Sequence, residues 1–168
     1  AGTARKRAGT SHIRSRRFHR SSVRPASYIL QHVRLAVMFG GMVLYIFLHE
    51  FVHGIFIKRY SSKKADYGFT GMYAYAGSKA YFNKKSYLVI ALAPVVLWGI
   101  VLTALLLIVP KYWFWPAFLI QLTNLSGASG DLYVVWTFSR MPEDILVQDT
   151  GVAMTVYGLS DSVTGDLS

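Results

Sequence analysis

The chain has 168 residues, enough for one domain or at most two, with 53 % apolar and only 15 % charged residues and a formal net charge of +10. Soluble domains carry about 25 % charged residues, so this composition, with its positive mean hydropathy, excludes disorder over most of the length and points to a membrane protein with a basic appendage. The lack of cysteine excludes disulfides, thiol catalysis and cysteine-based metal sites, leaving His and carboxylates to hold any metal.

In chain order, residues 1–34 come first. They hold nine bases (Arg5, Lys6, Arg7, Arg14, Arg16, Arg17, Arg20, Arg24, Arg34) and no acid, and the rest of the chain is close to neutral. The stretch 1–26 is rich in Ser, Gly and Thr and has no apolar periodicity, so a flexible tail is expected, whether a native arm, a processed end or a leader. Such a tail suits anionic lipid headgroups better than a specific nucleic acid.

Three apolar stretches follow. The first, Leu35 to Ile57, is interrupted only by His49, Glu50 and His53. The second, Tyr87 to Val109, has no charge and contains Pro94. The third runs from near Trp113 to near Phe138 with one charge, Asp131. Each supplies the roughly 20 residues that a bilayer crossing requires, and Tyr112, Trp113, Trp115 and Trp136 suit an interfacial belt. Between the first two, Lys58–Ser86 is basic at both ends and rich in Tyr and Gly in its middle, which reads as a short hairpin or loop at the membrane surface. After Phe138 the chain turns acidic. The expected fold is therefore an all-α integral membrane protein of about three transmembrane helices with a short β-hairpin-like loop between the first two. Its domain covers 35–157, and 158–168 form a short C-terminal tail.

The chemistry is concentrated in Leu48-His49-Glu50-Phe51-Val52-His53-Gly54. On a helix, His49 and His53 lie one turn apart on one face and can bind one ion. Glu50 sits about 100° around, placed to take a proton from a zinc-activated water without being a ligand. Such a site needs a third ligand, and Asp131 is the other ionisable residue inside an apolar stretch. In a three-span chain the first and third spans run parallel, which brings His53 and Asp131 to similar depth. Gln121, Asn124, Ala128 and Asp131, spaced three, four and three apart, form one helical stripe facing a neighbour or a cavity. Asn124 is a candidate for positioning substrate or the developing oxyanion.

The HExxH string, together with Ala91-Leu92-Ala93-Pro94, Asn124 through Asp131, and Val147-Gln148-Asp149-Thr150-Gly151, resembles over roughly residues 35–157 a family of zincin membrane peptidases related to the site-2 proteases, which are intramembrane zinc metalloproteases. The resemblance implies Zn2+ held by His49, His53 and Asp131 with Glu50 as base. The chain departs from site-2 proteases in reading Gly130-Asp131-Leu132 where they place Leu-Asp-Gly, and in having no proline between Asn124 and Asp131. The expected function is hydrolysis of a peptide bond in a membrane-associated protein or peptide. The alternatives are a divalent-metal-binding or metal-transporting membrane protein and a catalytically silent scaffold relative. As a multi-pass protein of the cell membrane it would place loop 58–86, with seven bases and one acid, in the cytoplasm and the site toward that side. The basic tail pulls the other way.

Overall fold

The computed structural model describes residues 15–158, with side chains from Ala26 onward. The chain divides into two compact units after Val37. Of the expected tail, residues 1–14 lie outside the described residues, as do residues 159–168 at the other end. Residues 15–34 belong to helix α1 (Ser15–Tyr60) instead of irregular chain. They contain no glycine and hold five Arg, a good helix former, against a single proline, Pro25.

In the second unit, from Met38, α1 leads into β1 (Asp66–Phe69) and β2 (Ala74–Gly77). These strands pair antiparallel from Asp66↔Gly77 to Phe69↔Ala74. Gly71 at φ +91° makes the reversal, a conformation that a side chain would oppose. Strand β3 (Tyr81–Asn83) runs straight into α2 (Lys84–Ile108), whose first turn is capped by Asn83 accepting the Ser86 N–H at 2.8 Å.

A 3-10 turn, Lys111–Trp113, precedes α3 (Phe114–Gly127) and α4 (Ser129–Ser139). The third apolar stretch is thus two helices that meet at Ala128. Ser126, Gly127, Ser129 and Gly130 around the joint are weak helix formers. Hydrogen bonds from Ala128 N–H to Asn124 and from Leu132 N–H to Ala128 carry the helical path across it. Two helical segments, 26–60 of α1 and α2, are long and apolar enough to cross a membrane.

The described residues end in β4 (Ile145–Asp149) and β5 (Met154–Gly158), which join β3 in an antiparallel sheet ordered β3-β4-β5. This second sheet was not expected. Its first strand has three residues, and the partner strand lies some sixty positions later, so neither shows a readable alternation. The sheet packs under the helix ends, where Ile57, Phe82, Tyr87, Phe138, Ile145 and Val147 form a small core. Lys84 ties α2 to this end. Its Nζ, on a side chain 6 % exposed, donates to the carbonyls of Met141 (2.7 Å) and Ser139 (3.4 Å) and to Glu143 (3.0 Å). Two of these bonds satisfy carbonyls at and just past the C-terminus of α4. The hydrogen bond and charge of Lys84 hold the Glu143 carboxyl below its ordinary range.

Candidate metal centre

The helical spacing of α1 sets the two histidines one above the other, with ring centroids 5.0 Å apart. Asp131, in the first turn of α4, faces both. Its Oδ2 lies 3.1 Å from His49 Nε2 and its Oδ1 3.3 Å from His53 Nε2. One ligand atom from each residue falls within 4.8 Å of the others. The three residues expected to bind metal therefore come together, although two stand on α1 and the third lies some eighty residues later.

The far side of each imidazole shows which nitrogen carries the proton. His53 Nδ1 lies 3.0 Å from the Ile90 carbonyl, which only accepts, so Nδ1 is the protonated atom. The Tyr45 hydroxyl donates to Asn124 Oδ1 at 2.7 Å and therefore accepts from His49 Nδ1–H, also at 2.7 Å. In the neutral rings, both Nε2 lone pairs then point at a carboxylate. Acceptors facing acceptors need a proton or a metal cation between them. Zinc ligands at about 2.0–2.1 Å in a tetrahedron stand about 3.3 Å apart, and the three candidate ligand atoms, one per residue, lie within 4.8 Å of one another, close enough to converge on one ion. The nitrogen and oxygen donor set suits zinc, and the outer hydrogen bonds are of the kind that fix ligating histidines.

His49, Glu50, His53 and Asp131 line a cavity of about 830 Å³. Its lining also includes Met72–Ala76 and Gly151–Met154. Ala76 of β2 shares the cavity lining with Glu50. Tyr67 of β1 brings its hydroxyl to the notch at Gly54, and burial, then the Glu50 charge, push that phenol above its ordinary range. Across the cavity, Tyr87 donates to Asp149 Oδ2, while Asp149 Oδ1 accepts the Gly151 N–H at 2.8 Å.

The stripe on the third apolar stretch faces inward: Asn124 and Ala128 are both 0 % exposed. Asn124 bonds Tyr45 and, through Nδ2, Gln121 at 3.5 Å, and it is not on the cavity wall. Tyr45 was missed in the sequence, although its position four residues before His49 puts it on the ligand face. Of the other histidines, His32 is exposed and bonds the Tyr28 carbonyl at 2.6 Å. His12 and the side chain of His19 lie outside the described residues.

No curated protein and no solved structure matches the chain. A family model does match, over residues 42–146, a span that holds all three candidate ligands and Glu50. The chain belongs to that family, described as "Putative zincin peptidase", whose zincin character implies metallopeptidase activity and zinc.

Proposed function

We propose that this protein is a membrane-embedded zinc metallopeptidase that hydrolyses a peptide bond of a membrane-associated protein. The observation that carries this reading is the convergence of His49, His53 and Asp131, with Glu50 on the wall of the same cavity. Zinc held by these three side chains would supply Lewis-acid polarisation of a carbonyl and of a water molecule. Glu50 reaches the same space from one position along α1. Its carboxylate takes the proton of the attacking water and returns it to the departing amine.

Substrate must arrive extended, because a helix engages its own carbonyls. Strand β2 supports this, since Ala74–Ala76 line the same cavity as the candidate ligands and Glu50. A substrate strand laid along that edge would gain main-chain hydrogen bonds. Asn124, enclosed and off the wall, serves the site through Tyr45 and not by touching substrate.

The membrane reading rests on the outward faces of the long helices. Phe47 is 57 % exposed, Ile100 66 % and Leu107 82 %, an apolar surface suited to lipid. Helices α3 and α4 supply a third, interrupted crossing. Irregular backbone at membrane depth is tolerated where protein encloses it, and Ala128 is fully enclosed. Lys58, Arg59, Lys63, Lys64, Lys79 and Lys85 mark the cytoplasmic end by the positive-inside rule.

In purified, reconstituted protein, Glu50→Gln should retain bound zinc while cleavage of a membrane-anchored reporter falls by about a hundredfold or more. Equal cleavage by the two proteins, or wild type that binds no zinc, would overturn the proposal.

A further inference from the structure

Helix α2 runs through Pro94 without ending, and proline has no N–H. In an α-helix the N–H of residue 94 would bond the carbonyl of residue 90. Ile90 therefore loses its intrahelical donor, and the proline ring crowds its carbonyl away from the helix axis. Ile90 is 3 % exposed and Pro94 is fully buried, so water is not the substitute. The donor that reaches this carbonyl is His53 Nδ1–H, from α1, at 3.0 Å.

We propose that Pro94 is a positioning residue of the metal centre: by freeing the Ile90 carbonyl it supplies the acceptor that holds His53 in its Nδ1–H tautomer, with Nε2 turned toward Asp131. The inference rests on the zinc reading of the site. Its physical logic is an exchange between two otherwise costly states. The carbonyl in an apolar helix needs a donor. The imidazole, on a residue 9 % exposed, needs an acceptor on the side away from the metal. Any residue other than proline brings its own N–H to position 94 and competes for the same carbonyl. The histidines thus use different supports: His49 a side-chain chain through Tyr45 and Asn124, His53 a main-chain oxygen exposed by a proline.

The test compares wild type, Pro94→Ala, and a variant with lactic acid at position 94, which has no N–H and no ring. Zinc affinity is measured by competition with a chelator, and the tautomer of His53 in the metal-free protein by imidazole nitrogen NMR. Pro94→Ala should weaken zinc binding about 10- to 100-fold and mix the His53 tautomers, with a metal-free melting temperature at or above that of wild type, because alanine favours the helix. The lactic acid variant should bind zinc within about threefold of wild type. Wild-type affinity in Pro94→Ala, or equal weakening in both variants, would overturn the proposal. If Pro94→Ala does not fold, the lactic acid variant decides alone: retained affinity supports the role, and lost affinity assigns it to the ring. Wild type without zinc would sink the metal reading itself, a result distinct from both.

Discussion

The Tyr45 hydroxyl joins two helices at a buried point, and its removal has a calculable effect. Tyr45 is 5 % exposed and Asn124 0 %, and both bonds of the hydroxyl are 2.7 Å. Tyr45→Phe leaves the His49 N–H and the Asn124 carbonyl without partners, at roughly 1–3 kcal/mol each. The expected total is about 2–4 kcal/mol. Asn124→Leu leaves the tyrosine hydroxyl unaccepted and removes the long 3.5 Å bond to the half-buried Gln121, and should cost about 1–2 kcal/mol. In the double variant neither the stranded Asn124 carbonyl nor the unaccepted tyrosine hydroxyl exists, so the combined loss should fall short of the sum by about 2–4 kcal/mol. Reversible unfolding of the metal-free protein in mixed micelles measures all four corners of this cycle. Losses that add to within about 0.5 kcal/mol would refute the network as drawn.

Two glycines should differ. A Cβ at Gly77 would collide with the Thr150–Gly151 backbone, which is pinned by Ser78 N–H to Asp149 (2.6 Å) and by Thr150 N–H to Ala153 (3.0 Å), so Gly77→Ala should cost about 1–3 kcal/mol. A Cβ at Gly54 meets the hydroxyl and the adjoining ring carbons of Tyr67, a residue 54 % exposed that can turn outward, and alanine favours the helix. Gly54→Ala should therefore be near neutral, and melting temperatures in the reverse order would refute this. The Glu143 carboxyl is depressed by Lys84, so its contribution is complete above its unfolded value of about 4.3 and is lost as pH falls through the lower folded value. The small gap in melting temperature between wild type and Glu143→Gln at pH 7 should close in that acid range, and a gap that widens with acid would contradict the sign.

The sequence made part of the centre legible because that part is local. His49, Glu50 and His53 are placed by helical geometry alone, whatever surrounds them. Asp131 was reachable because an ionised group inside an apolar stretch is too costly to be idle, and its stripe with Asn124 and Ala128 marks an inward face. Tyr45 had the same helical offset but passed as one more apolar aromatic. Strands β3 and β4 were not legible, since Tyr81↔Gln148 and Asn83↔Leu146 join segments that carry no sign of one another.

The low charged fraction, the three apolar stretches and the HExxH face were thus determined by the sequence alone, because solvent preference and helical period act on neighbouring residues. Pro94 likewise announces that the Ile90 carbonyl will lack its helical donor. The tertiary structure alone decided that His53 takes that oxygen, that Tyr45 bridges His49 to Asn124, and that Asp131 presents one oxygen to each imidazole. Those three outcomes depend on angles and distances between helices, and such distances are set by packing across the whole domain.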